Sequence, residues 1–583
     1  MSILPIANAD AQVAEVGAPF ELRDDGVYLL DIDKHGQTTS VRISGPLVVI
    51  ARSRSFNDTD WGRLVAITTP DGKRRELYVP DDVISGTPTA LAGLLARNGL
   101  DVAPDAEYRR LLPNYLLSCN PGRFVRRTTQ TGWCSTNTFI YGAQVIGESP
   151  ERICVEGSDD SGFLTSGSLD GWKDEIALPS IGNSRLMFAL SLAFTGPLLR
   201  LLQQENLGVH LRGRSSTGKT TAAAVAASVW GPGDTRFIRS WRATDNALEP
   251  LAASRCDSLL VLDEISQAAP RVVADAAYML MNGQGKARMT RRAGAEPSLR
   301  WKVAVLSTGE TSLSSMLTRG PQVVQAGQEV RLIDLPADAG AGAGIFDGVP
   351  DGETPSAFAR RLAQSSVREY GTAGTAFIRA LILDEGKGVH EARQQIDAFV
   401  DLHCDSDVDG QVRRVAHQFG IVGTAGELAI RFGVLPWSEG SATDAAGRCF
   451  SDWMSERAST KAHEASAGIE RVRDFILRHG MTRFTSLNDP EERPASNRVG
   501  FRERARGNDT DYYIFPSAFR DDICAPLHFR DVLRELETQG YLVKARNGSP
   551  SVSKRLPGYS NAIKVYHLRG SVVGDGEQDD TEE

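Results

Sequence analysis

GRSSTGKT, residues 213–220, is the stretch on which the fold turns. It satisfies G-x-x-x-x-G-K-[ST] at every defined position. Residues 207–211 before it read as a strand, and the alanine-rich residues 221–230 after it read as a helix. A strand, a glycine-rich turn and a helix N-terminus together turn backbone N–H groups towards an anion. The predicted phosphate-binding set is Gly213, Ser215, Ser216, Thr217, Gly218, Lys219, Thr220 and Thr221. Lys219 would neutralise the β- and γ-phosphates of ATP, and the Thr220 hydroxyl would ligate Mg2+. The alternative is a chance match in a Ser/Gly-rich turn, and the next motif weighs against it.

Residues 259–264 read LLVLDE. Four apolar residues form a buried strand, and two carboxylates follow at its end. Asp263 is the expected second magnesium-holding residue, and Glu264 the base that orients or deprotonates the attacking water. A third strand, residues 303–306, runs into Ser307, Thr308, Gly309 and Glu310. A polar residue there can sense the γ-phosphate from between the other two strands. Thr308 is the first choice and Ser307 the second, with a helix cap before Thr311 as the competing reading.

Between the acidic strand and the sensing strand, Lys286, Arg288, Arg291 and Arg292 precede a turn-like stretch, residues 293–297, and Arg300, Trp301 and Lys302 return. This reads as a basic β-hairpin that would touch a DNA phosphate backbone; a solvated charged loop is the alternative. Arg319 and Arg331 are the two candidates for an arginine finger reaching a neighbouring subunit's site, and Arg413 and Arg414 are weaker candidates for a sensor on the helical segment. In the first module Arg123, Phe124, Arg126, Arg127 and Trp133 mix basic and aromatic side chains, which suits either base stacking or an ordinary strand pair with exposed arginines.

The chain's 583 residues are too many for one core, and its formal charge of -9 confines any nucleic-acid contact to local patches or a pore. Seven scattered cysteines, none spaced C-x-x-C, argue against a disulfide scaffold or zinc ribbon and for a reducing, cytoplasmic setting. The most apolar stretch, residues 186–202, is broken by Gly196, Pro197 and Arg200 and reads as a buried helix rather than a membrane span. The predicted organisation is a leader (1–18), a β-rich α+β module (19–185), an α/β ATPase core (186–338), a Gly/Ala linker with a helical lid (339–465), a winged-helix-like domain (466–571) and an acidic disordered tail (572–583). The winged helix rests on a helix at 529–539 stopped by Gly540, a strand at 541–544, a turn at Asn547-Gly548 and a strand at 563–568.

Together GRSSTGKTTAAAVAASVWG (213–231), SWRATDNALE (240–249), LLVLDEI (259–265), LSTGE (306–310), AGQEVRLIDLPAD (326–338), GVYLLDI (26–32) and TGW (131–133) resemble the bacterial and phage family that carries the domain of unknown function 927. Members are similar to AAA+ replicative helicases of mobile elements, including the cassette-chromosome helicases, themselves likened to MCM rings. The resemblance implies an AAA+ P-loop core, a hairpin before the sensor strand, a homo-hexamer with magnesium-ATP at subunit interfaces, and a winged helix. Many related proteins also carry a primase-type domain. No cysteine-rich zinc module or acidic primase triad is visible here, so priming would be done by a separate primase or other replication proteins, or not at all. The expected function is an ATP-dependent DNA helicase or translocase acting on a single strand or fork, replicative for a phage, plasmid or genomic island. Its rival is an ATPase that remodels or loads a protein partner without unwinding DNA.

Overall fold

The computed structural model describes residues 16–32, 37–156, 162–242, 245–286, 288–289, 295–296, 298–318, 332–406, 408–489, 492, 495, 497–505, 509–525, 527 and 529–573. Two compact units divide the chain, Met1–Asp452 and Trp453–Glu583.

At the centre of the first unit is a five-stranded sheet: β1 (Leu207–Arg212), β2 (Arg239–Ser240), β3 (Ser258–Asp263), β4 (Val303–Gly309) and β5 (Leu332–Pro336). The order is β2-β3-β4-β1-β5, and every neighbouring pair is parallel. A parallel sheet is covered on both faces, so its strands read as continuous apolar runs. Accordingly, β4 is buried at all seven positions and β3 at all but Asp263. Helices α1 (Ser184–Leu201), α2 (Lys219–Ala227), α3 (Asp245–Ser254) and α4 (Pro270–Asn282) alternate with these strands along the chain. The apolar stretch that excluded a membrane span on sequence is α1, buried over almost its whole length and packed on β3, β4 and the helix Gly410–Arg431. Among the described residues no helix is long and apolar enough to cross a membrane.

The N-terminal part is strand-rich, with short helices. One sheet joins Phe20–Arg23, Gly26–Ile32 and Thr38–Ser44. A second runs Arg152–Val155, Phe124–Thr128, Leu47–Ser55, Gly62–Thr68, Arg74–Pro80, and a third runs Gln144–Gly147, Thr138–Tyr141, Gly132–Ser135. The TGW stretch seats this part on the core. Asp257, fully buried just before β3, accepts from Trp133 N at 2.9 Å and from Arg200 Nε at 2.9 Å. Thr131 Oγ1 donates to Ser254 O at 2.7 Å, and Trp133 Nε1 to Pro197 O at 3.1 Å. Burial nonetheless pushes the Asp257 carboxyl above its ordinary 3.8, with Arg200 opposing the shift.

The Gly/Ala stretch expected to be a linker packs behind the 213–220 loop. Ile345 and Phe346 are buried, Phe346 lies against Phe358, and Asp347 accepts from Ser184 N at 2.6 Å and Ser184 Oγ at 2.7 Å. Its glycines serve turns, with φ of 86°, 77° and 66° at Gly340, Gly342 and Gly344, and alternation in sequence does not reveal that the residues following them are core. Five helices come next: Pro355–Ser366, Thr372–Leu383, Lys387–His403, Gly410–Arg431 and Ser441–His479. The boundary expected at 465/466 falls inside the last of these, because no proline interrupts residues 441–479.

In the second unit the helix Phe529–Thr538 buries Val532, Leu533 and Leu536, the face read from the sequence. Leu542–Val543 and Val552–Lys554 both pair antiparallel with Ile563–Leu568. A helix followed by antiparallel strands is thus present, but it belongs to a larger sheet. Phe484–Ser486, Gly500–Arg504 and Thr510–Ile514 precede Ile563–Leu568 in the strand order. Those strands carry charged residues such as Arg502, whose guanidinium is satisfied by Glu492 at 3.0 Å and by Phe484 O at 2.6 Å. Such pairing is invisible to a hydrophobic pattern.

Candidate functional site

In an open parallel sheet, ligands bind beyond the C-terminal strand ends. Here that edge gathers three of the sequence motifs in one row. Strand register places Leu211 of β1 opposite Thr308 of β4, and Leu262 of β3 opposite Ser307. The end of β1, Thr308 and Asp263 are therefore neighbours across about two strand spacings, roughly 10 Å.

Residues 213–218 leave β1 and enter α2 through a left-handed N-cap at Gly218, φ 96°. Only glycine fits there: a Cβ on Gly218 would lie 2.5 Å from Ile345 Cγ2. Ile345 N in turn donates to Thr217 O at 2.8 Å, and Gly213 N to Gly309 O at 3.1 Å, so the loop is held from behind and from β4. Ser216 is also left-handed, φ 63°. Lys219 is buried, and its Nζ donates to Gly213 O at 2.8 Å and Arg214 O at 2.7 Å. Thr217 Oγ1 donates to Arg214 O at 2.9 Å. Ser215, Ser216 and Thr220 are exposed on the loop and first helical turn, whereas Thr221 is buried.

Asp263 and Glu264 are half-buried at the end of β3. Thr308, fully buried, connects them: its hydroxyl donates to Asp263 Oδ1 and accepts from Glu264 N at 3.2 Å. Glu264 adopts φ 60°, a left-handed conformation uncommon outside glycine and found where a surrounding structure enforces it. Ser266 Oγ donates to Glu264 Oε1 at 2.7 Å. Ser307, the second-choice sensor, is turned away from these carboxylates, hydrogen-bonded to His210 Nδ1 at 2.8 Å and Trp241 Nε1 at 2.8 Å. Neither His210 nor Trp241 stands out as a site residue in the sequence. The available signal is a histidine inside the otherwise apolar run Leu207–Leu211 of β1.

The basic insertion forms a short hairpin, Arg288–Met289 against Ala295–Glu296. Its base is fixed by Gly285 N to Leu299 O at 2.8 Å, Trp301 N to Gly283 O at 3.0 Å and the buried Trp301 indole to Leu280 O at 3.1 Å. Lys286 is exposed. Arg291, Arg292, Arg319 and Arg331 lie outside the described residues, as does the side chain of Arg288. Arg413 pairs with Asp401 at 3.1 Å. In the N-terminal part Arg126 pairs with Asp58 and Glu151, and Arg127 with Glu156 while stacking on Tyr78, which favours the structural reading of that basic-aromatic cluster.

Among the described residues no group of three or more His, Cys, Asp or Glu could hold a metal by itself. Magnesium does not require one. It keeps several waters and takes one or two protein oxygens together with substrate phosphates. One hydroxyl, Thr220, and one carboxylate, Asp263, at the 213–220 loop are a donor set that fits.

Residues 20–299 match the family described as Domain of unknown function (DUF927). The matched region takes in the N-terminal sheets, the 213–220 loop, the acidic strand and the hairpin, and stops short of β4. The chain also shares its fold with a solved structure described as "SCCmec type IV Cch - active helicase": 19% identity, 96% of this chain and 99% of that one covered, TM-score 0.68. Similarities to NtrX from Brucella abortus (13% identity, 43% and 66% covered, TM-score 0.17) and to the C-terminal region of NrS-1 (8% identity, 67% and 89% covered, TM-score 0.23) are too weak to carry an argument. No curated protein matches the chain.

Proposed function

We propose that the protein is a P-loop ATPase of AAA+ type that uses hydrolysis to move along and unwind DNA. The observation that carries the reading is the row at the sheet's C-terminal edge: the 213–220 loop, Thr308 and the Asp263-Glu264 pair meet there although they are far apart in sequence. A strand inserted between the loop-bearing β1 and the acid-bearing β3 supports the AAA+ assignment. The shared fold with a protein described as an active helicase supports the unwinding part of the reading.

In this reading Lys219 would leave the loop carbonyls for the β- and γ-phosphates, and Thr220 and Asp263 would hold magnesium, which would supply charge neutralisation at the phosphates. Glu264 accepts the proton of the attacking water, its carboxylate oriented by Ser266. Thr308 holds Asp263 and Glu264 in register and presents a polar group beside the transferred phosphoryl. Arg319 or Arg331 would complete the site of a neighbouring subunit in a hexameric ring, and Lys286, Arg288, Arg291 and Arg292 would grip one strand. The second unit, with its helix and strand pairs, would serve as a winged-helix-type accessory domain. A replicative role on a phage, plasmid or genomic island belongs to the same proposal.

The test is unwinding of a forked duplex with ATP, with Lys219→Ala as control. Unwinding by the wild type alone supports the DNA motor. ATP hydrolysis that is intact, indifferent to DNA and without unwinding would instead favour a protein-remodelling ATPase.

A further inference from the structure

Beneath the catalytic row lies a second, buried row. Strand register aligns Asp334 of β5, His210 of β1, Ser307 of β4 and Leu262 of β3. His210 and Ser307 are fully buried, as is Trp241 just beyond β2. Their donor and acceptor roles are forced from the two ends. An indole N–H only donates and a backbone carbonyl only accepts. Trp241 Nε1–H therefore donates to Ser307 Oγ at 2.8 Å, and the His210 Nε2–H donates to Thr311 O at 3.0 Å. That leaves the Ser307 O–H to donate to His210 Nδ1 at 2.8 Å. The polar groups that link Trp241, Ser307, His210 and Thr311 are all satisfied only with a neutral, Nε2-protonated imidazole, the state that burial favours.

The two ends of the chain hold functional backbone. At one end, Trp241 N donates to Asp263 O at 3.2 Å, which fixes the main chain of the acidic residue. At the other, His210 holds Thr311 O, and Asp334 Oδ1 accepts from Leu313 N at 2.9 Å, so the segment leaving β4 is pinned at two points to two different strands. Thr308 lies between these ends, one residue from Ser307.

We infer that Ser307 and His210 are positioning residues: they form a proton-ordered relay from Trp241 to Thr311 that locks the exit of β4 and so keeps Thr308 seated on Asp263 and Glu264. The catalytic consequence rests on the proposed ATPase activity; the relay itself does not. Ser307 on this view is not a phosphate sensor.

The experiment measures Ser307→Ala and Trp241→Phe against the wild type. Hydrogen exchange of the 311–318 amides should quicken by about tenfold in Ser307→Ala, since a buried hydrogen bond is lost at each side of the hydroxyl. Nitrogen NMR of the histidines should show His210 as the neutral Nε2–H tautomer near neutral pH. These two readouts do not depend on ATPase activity, so they stand even if the protein proves not to hydrolyse ATP. For the catalytic part, kcat should fall by about tenfold while ATP affinity stays within about twofold. Combining Ser307→Ala with Thr308→Val should be no worse than Thr308→Val alone, because both act on the same seat. Trp241→Phe, which removes the indole N–H together with part of the buried ring volume, should show the same pattern. Unchanged exchange at 311–318 or the other histidine tautomer would overturn the relay. Multiplicative losses in the double variant would overturn its link to Thr308.

Discussion

Replacing Thr308 by valine exchanges one hydroxyl for a methyl in a fully buried site, so the perturbation is polar rather than steric. The hydroxyl makes two hydrogen bonds, donating to the Asp263 carboxylate and accepting from Glu264 N at 3.2 Å. A bond to a charged group contributes about 1.5–3 kcal/mol, and an N–H left without a partner costs about 1–3 kcal/mol when buried. Glu264 is only half-buried, so water can offset part of the second term, and a total of about 2–4 kcal/mol is reasonable. Not all of it falls on the reaction. If half is felt only when Asp263 and Glu264 must be held in their catalytic places, kcat drops by about fivefold to thirtyfold. Steady-state hydrolysis, with affinity measured separately by a fluorescent ATP analogue, separates the two effects. The expected result is a large loss in kcat with affinity within about twofold. A folded Thr308→Val protein with wild-type kcat would refute the argument that this hydroxyl organises the acidic pair.

Glu264→Gln should bind ATP normally and lose hydrolysis; hydrolysis at the wild-type rate would remove Glu264 from the role of base. Asp257→Asn should lower the melting temperature by the equivalent of about 1–3 kcal/mol, because the amide keeps only one acceptor oxygen, loses the charge that pairs with the Arg200 guanidinium and sets an N–H donor in this buried site; thermal unfolding that does not shift would show that the TGW contact contributes little. Burial holds the His210 imidazole below its ordinary 6.5, so the unfolded chain takes up a proton that the folded chain refuses as pH falls through 6.5. Stability should therefore decline from about pH 6.5 downwards, and His210→Gln should flatten part of that slope in melting curves, the remainder belonging to groups such as His417, which is shifted the same way. Reversing the charge at Lys286 and Arg288 should weaken DNA binding and its salt dependence more than basal hydrolysis; equal loss of both would make the hairpin structural.

The sequence by itself determined what is local. A phosphate loop is a strand, a fixed glycine pattern and a helix start, all within some twenty residues, and GRSSTGKT carries its own geometry, including the left-handed Gly218. The apolar run that ends in Asp263-Glu264, the polar end of β4 and the basic turn before it are equally short-range signals, and α1 was legible as a buried helix from its length and its interruptions. What only the tertiary structure decided depends on partners distant in the chain. Ser307 and Thr308 look alike as text; strand alternation and neighbours from β1 and the SWR stretch turn one towards His210 and Trp241 and the other towards the carboxylates. The Gly/Ala stretch reads as a linker because glycine signals turns, yet Ile345 and Phe346 become core once they meet the loop and Phe358. The charged strands of the second unit were hidden for the same reason: their hydrogen bonds and ion pairs are satisfied by residues that a linear pattern does not place beside them.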